Sequence, residues 1–251
     1  MNPWLLDIAR EAGAIAQNEM KRGVEVITKP NGTPVTSVDL AVDRYLASEI
    51  AREFPDDLLL SEERPDPPHR THAKRAWLVD PIDGTSLLIR RQTGFAILIA
   101  LWESGIVTES IAHFPMLDLT LQAKLNCGCT LNGKKIKVSS VSGPQMKVAC
   151  TVKESSALHS LPRPVESHCL EVARMAAGEF EACVFRGGPT CGEHDYAWAE
   201  CALREAGGKM TDEHGDPVRF NKPVRSMPRI LVCSNTLVHD NVLNALKRSL
   251  P

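Results

Sequence analysis

Near the amino end, Leu5, Ile8, Ala9, Ala12, Ile15 and Ala16 recur at intervals of three and four, which predicts an amphipathic helix with one face on a core. A turn-rich segment, Lys29-Pro-Asn-Gly-Thr-Pro34, breaks the pattern. The spacing returns in Val38, Val42, Tyr45, Leu46 and Ile50, so a second helix is expected to start at Thr36 or Ser37 and to end at Phe54-Pro-Asp-Asp57. Short apolar runs at 58–60 and 77–79 read as buried strands, the second halted by Asp80-Pro81. Between them, residues 64–74 are polar and hold Pro65, Pro67 and Pro68, which predicts an exposed loop.

Further strands are predicted over 95–101, 106–111, 119–123 and 136–138, with a tight turn at Asn132-Gly133 before the last. After residues 139–144 come a strand over 148–151, helices over 166–177 and 195–206, strands near 180–185 and 229–233, and a last helix over 238–248. Gly207-Gly208 closes the second of those helices. Runs of adjacent strands with isolated helices argue for layered α+β architecture rather than a βαβ repeat. The organisation expected is an N-terminal α+β half, 1–144, and a C-terminal α/β half, 145–251.

A length of 251 residues allows two closely packed halves around a sizeable core. The net charge of -2 gives no electrostatic reason to expect nucleic acid or an anionic membrane as partner. An anionic small substrate would therefore need metal ions or a few placed cationic side chains. No run approaches the roughly 18 apolar residues of a membrane span, and no basic stretch precedes an apolar core at the amino end, so a cytoplasmic location is expected. The 8 cysteines are scattered, with only Cys127 and Cys129 close together and no second pair at zinc-site spacing, and those embedded in apolar stretches, such as Cys150, Cys183 and Cys233, read as small core residues rather than ligands.

The segment Trp77-Leu-Val-Asp80-Pro-Ile-Asp83-Gly-Thr85-Ser86 carries the chemistry. Two carboxylates three residues apart across a turn can converge, and the Ile82 carbonyl between them offers a third oxygen. Such a set suits a hard cation, Mg²⁺ rather than zinc. If a helix follows Gly84, the N–H groups near Thr85 and Ser86 would face a phosphate. The same residues also make a good turn with no further role. What favours a site is the company: Ser61-Glu62-Glu63 at another strand end, and Asp195 ahead of the helix that finishes Glu205-Ala-Gly-Gly208.

In these motifs the chain resembles the inositol monophosphatase family of metal-dependent phosphatases. The resemblance rests on Pro34-Val-Thr36 with Asp39, on Leu60-Ser-Glu-Glu63, on Trp77 through Thr85, and on His194-Asp195 through Gly208, in family order over nearly the whole chain. The wording of the Glu62 motif, the gap-free spacing from Asp83 through Arg90-Arg91 to Phe95, and Arg186-Gly-Gly-Pro-Thr190 look closest to the 3'(2'),5'-bisphosphate nucleotidases.

The resemblance implies a layered α-β-α-β-α sandwich and hydrolysis of a small phosphate monoester, 3'-phosphoadenosine 5'-phosphate for preference. Two or three Mg²⁺ ions would be held by Glu62, Asp80, the Ile82 carbonyl, Asp83 and Asp195. Glu62, Asp39 and Thr85 would handle the attacking water, and Gly84, Thr85, Ser86 and Arg186 would bind substrate. Asp39 has a second explanation, since Thr36 and Asp39 also fit a helix capping box. Lys29, Ser167 and His168 are weaker candidates, with helix capping an equal explanation for Ser167. A homodimer is among the assemblies the resemblance allows.

The chain departs from the family in three places. His194 stands where a Trp is usual, either as a packing ring or as an added ligand or base. Ser86-Leu87-Leu88 replaces the charged pair and aromatic of the nucleotidases. Residues 184–188 lack the acid that inositol-specific members carry, which counts against inositol phosphate. The alternatives are a phosphatase of inositol, histidinol or sugar phosphates, and a catalytically weakened binding protein.

Overall fold

Pro3 opens the first helix, α1 (Pro3–Arg22), at a position where its missing N–H costs nothing. The computed structural model describes residues 1–249 except Asn31, Arg163 and Thr190. Asn31 of the turn-rich loop and Thr190 of the segment after Arg186 therefore lie outside the described residues, as do Leu250 and Pro251. The apolar face expected from spacing is buried, with Leu5, Ile8, Ala9, Ala12 and Ala16 all in the core.

The turn-rich loop is the tip of an unpredicted antiparallel hairpin, β1 (Val26–Thr28) and β2 (Pro34–Thr36). Strands of three residues are too short to show a period. Helix α2 (Ser37–Glu53) follows at once, started by Thr36, whose hydroxyl accepts from the N–H groups of Val38 and Asp39.

Strand β3 (Leu58–Ser61) pairs in parallel with β4 (Arg75–Asp83), and β4 does not stop where the sequence suggested. It runs through Asp80-Pro81 to Asp83 because its register with the next strand slips there, a bulge that accommodates a residue with no N–H to donate. The five-residue helix α3 (Thr85–Ile89) follows. Then come β5 (Ala96–Glu103), β6 (Ile106–Phe114), β7 (Leu119–Lys124), β8 (Gly128–Leu131) and β9 (Lys134–Ile136). With β3 and β4 they form a seven-stranded sheet in chain order. The turn at Asn132-Gly133 joins β8 to β9, both residues at positive φ as a tight hairpin requires.

The rest of the chain supplies β10 (Val148–Cys150), α4 (His168–Ala176), β11 (Ala182–Arg186), α5 (Glu193–Ala206), β12 (Lys209–Asp212), β13 (Ile230–Ser234) and α6 (His239–Ser249). Its four-stranded sheet has the order β10-β11-β13-β12. Cys150, Cys183 and Cys233 are buried within that sheet, as small core residues.

Five layers result. Alternate residues of the large sheet, Trp77, Val79, Ile97, Ile99 and Leu101, pack on α1 and α2. The opposite set, Leu78, Leu98 and Ala100, packs on α4 and α5, which also cover Phe185 and Leu231 of the small sheet. The outer face of the small sheet, Val148, Val184 and Val232, is covered by Val242 and Leu246 of α6. The large-sheet strands read as unbroken apolar runs because both faces are covered. Helix α5 is buried nearly all round, as an inner layer must be, and its small residues Ala197, Ala199 and Ala202 let it lie close against the strands. This is the expected α-β-α-β-α sandwich, and it drives the first turn of α5 into the ends of β3 and β4.

Candidate active site

The bulge in β4 sets the site. Asp80 lies opposite Leu98 and Asp83 opposite Ala96, so one extra residue is fitted into β4 between the carboxylates. The Ile82 N–H donates to Asp80 Oδ1 at 3.0 Å, which fixes that side chain. Gly84 then turns the chain at φ 85°, where an added Cβ would also crowd Leu87. Thr85 opens α3, and its N–H and that of Ser86 precede the first bonds of the helix, which Leu87 and Leu88 make to the Gly84 carbonyl.

Glu62 follows β3, its N–H held by the Val79 carbonyl at 3.1 Å. Asp195 comes from the first turn of α5, with Oδ2 accepting from the Gly192 N–H at 2.7 Å. Glu62, Asp80, Ile82, Asp83, Gly84, Thr85 and Asp195 line one cleft. Oxygens of Asp80, Asp83 and Asp195 lie within 4.8 Å of one another, and ligand atoms of Glu62, Asp80 and His194 form a second such group. Asp80 belongs to both.

Asp39 stands behind Thr85 and has hydrogen-bond partners on two sides. Its Oδ2 accepts from the Thr36 N–H at 2.9 Å and from the Thr36 hydroxyl, completing the capping box. Its Oδ1 accepts from the Thr85 hydroxyl at 3.0 Å, which also lies 3.2 Å from the Ile82 carbonyl. One carboxylate thus fastens a helix start and orients a cleft hydroxyl.

Burial raises the pKa of Asp80, Asp83 and Asp195, and neighbouring carboxylate charge raises each further. Glu63 is pushed up to about 7 by burial and the charge of Glu62, against the pull of Lys29. The Lys29 ammonium, in the hairpin, bridges Glu62 at 2.8 Å and Glu63 at 2.9 Å. Packed carboxylates whose charged forms are disfavoured by burial and by one another, with a peptide carbonyl beside them, fit a hard divalent cation. Glu62, Asp80, the Ile82 carbonyl, Asp83 and Asp195 are the residues that would hold it.

Ser86, Arg186 and Ser167 are not among the residues lining the cleft. Ser86 is exposed on α3. Arg186 is exposed at the end of β11, its guanidinium 2.5 Å from Glu154 and outside the residues lining the cleft. Ser167 caps α4 by accepting from the Leu170 N–H at 3.0 Å, the alternative role the sequence allowed. His168 does line the cleft, its ring stacked on Phe185 and its Nδ1 3.3 Å from the Tyr196 hydroxyl. Cys169, Cys191 and Tyr196 also line it and were not anticipated. Cys169 hydrogen-bonds Asp83 from within an apolar helical pattern, which gives a thiol no distinguishing signal.

With this geometry in hand, comparison with known proteins is direct. A sequence model of the inositol monophosphatase family matches residues 3–250. The chain belongs to that family. It is 31% identical over 238 residues to the 3'(2'),5'-bisphosphate nucleotidase CysQ of Haemophilus influenzae, covering 88% of this chain and 87% of the relative. It is 30% identical over 223 residues to the fructose-1,6-bisphosphatase/inositol-1-monophosphatase of Thermotoga maritima, covering 84% and 82%. The fold matches the solved structure of an IMPase from Thermotoga maritima with a TM-score of 0.83 at 26% identity, over 97% of this chain and 95% of that one. Members of this phosphatase family typically use Mg²⁺, which agrees with the oxygen-rich donor set. No described helix is long and apolar enough to cross a membrane.

Proposed function

We propose that the chain is a Mg²⁺-dependent phosphomonoesterase that removes the 3'-phosphate of 3'-phosphoadenosine 5'-phosphate. The observation that carries the phosphatase reading is the convergence of Glu62, Asp80, Asp83 and Asp195 beside a Thr85 hydroxyl held by Asp39. Support for the nucleotide comes from the similarity to CysQ and from the absence of an acidic residue over 184–188. The site lies where residues 1–144 and 145–251 meet, each half giving part of the carboxylate set.

Bound cations would neutralise the phosphate, acidify a water and stabilise the leaving oxygen. The chain's own groups do the rest. The Thr85 hydroxyl gives its hydrogen to Asp39, which leaves an oxygen lone pair to accept a proton from the attacking water. Glu62, at the cleft wall, orients that water from the other side. The N–H groups of Thr85 and Ser86, reached over Gly84, hold phosphate oxygens.

Arg186 is assigned the second phosphate. Its pair with Glu154 is exposed on both sides and screened by solvent, so a phosphate can displace it. Arg186→Ala should raise KM for 3'-phosphoadenosine 5'-phosphate roughly tenfold, the scale of one charge-assisted contact, and leave a single-phosphate substrate nearly unchanged. The test is kcat/KM for wild type and variant on a panel of nucleotide, inositol, histidinol and sugar phosphates. Equal losses on mono- and bisphosphates, or a wild type that prefers a non-nucleotide, would overturn the nucleotide assignment alone.

A further inference from the structure

His194 and Arg225 stand beside the carboxylates and have no role in the reaction above. The ring of His194 is buried against the backbone of Gly192, where an added Cβ would fall 2.2 Å from Cε1. Arg225 Nη2 lies 3.1 Å from His194 Nδ1 and 3.3 Å from the Ser61 carbonyl, while Nη1 lies 3.1 Å from Asp66 Oδ1. The guanidinium therefore spans from the residue before Glu62 to the residue before Asp195.

A guanidinium can only donate, so His194 Nδ1 accepts, and the hydrogen of the neutral ring sits on Nε2. That nitrogen lies 3.3 Å from Asp195 Oδ1, the oxygen that Gly192 does not hold. The same choice of tautomer removes the Nε2 lone pair from any cation.

We infer that Arg225 and His194 form a positioning pair: Arg225 fixes the ring, and the Nε2–H holds Asp195 toward Asp80 and Asp83. The pair ties the segment carrying Glu62 to the helix carrying Asp195 and so sets the affinity of the carboxylate group for its cation. It rests on the metal reading of the site. Groups that orient a metal ligand in this way change affinity by about 10–100-fold when removed.

The measurement is Mg²⁺ and Mn²⁺ affinity by calorimetry on the whole chain, with melting temperature in chelator as the check on folding. His194→Phe keeps a ring over Gly192 but no nitrogen, and should weaken both cations about tenfold or more. Arg225→Gln should do the same, and the double variant little worse than either single one. His194→Gln, which offers an N–H near the position of Nε2, should recover most of the loss. Wild-type affinity in both His194→Phe and Arg225→Gln would overturn the proposal while leaving the metal site intact. So would a loss confined to Mn²⁺, because that would place the ring nitrogen on the cation itself. A wild type that binds neither cation would overturn the metal site and the pair together.

Discussion

Asp80→Asn is expected to lower Mg²⁺-dependent phosphate release by on the order of 10³-fold, the upper range for removing one preorganised charged group at a reaction centre. Asp80 is the buried member shared by both groups of ligand atoms, so its loss impairs each. Its effect on stability should run the other way when no metal is present. The folded carboxylates hold protons that the unfolded chain releases near 3.8, so metal-free stability falls as pH rises through the cluster. Three buried histidines held neutral down to about 4, His113, His194 and His239, add stability with rising pH, but only up to their ordinary value of 6.5. From there to about 8, the range reached by Asp195, the carboxylates act unopposed.

Wild type in chelator should therefore melt lower at the upper end of that window than at the lower end. Mg²⁺ should raise the melting temperature and flatten the slope. Asp80→Asn, which removes one buried charge at nearly constant volume, should melt higher than wild type in chelator and gain little from Mg²⁺. A variant that kept both the Mg²⁺-induced rise and turnover would remove Asp80 from the proposed ligands.

The second large effect is expected at Thr85 and Asp39. Thr85→Ala should cost on the order of 10² in kcat, with KM less affected, because the hydroxyl acts on the water rather than on substrate binding. Asp39→Asn should cost a similar factor, since an amide in place of Oδ1 can no longer be relied on to take the threonine hydrogen. The double variant should be little worse than either, as for two residues acting as one unit. Asp39 also completes the capping box of α2 from its third position, so its variant should lose helix-start stability that Thr85→Ala does not. Stability and turnover thus separate the two roles. If Asp39→Asn lost stability but kept full turnover, capping would be its only function.

Legibility in the sequence followed the physics of each element. Long amphipathic patterns gave the buried face of α1 and the bounds of α2 nearly to the residue, because one buried face repeats over several turns. The hairpin β1–β2 and strands β8 and β12 were not visible, being three or four residues each. Asp80-Pro81 looked like a strand end, and only pairing with β5 reveals that the strand bulges and continues. The carboxylates were legible because acids seldom sit at the ends of apolar strands without a reason. The groups around them were not: Arg225 and Cys169 lie far from those motifs in sequence and are brought to them by the packing of α4 and the 221–228 segment, while Tyr196, next to Asp195, carries no distinguishing signal.

Phosphate release from a simple monoester, followed while Mg²⁺ is titrated into chelator-treated wild type, tests the central claim most directly. The cleft geometry predicts no turnover without a divalent cation, recovery as Mg²⁺ is added, and a parallel rise in melting temperature. Full turnover in excess chelator, with melting unmoved by Mg²⁺, would contradict it.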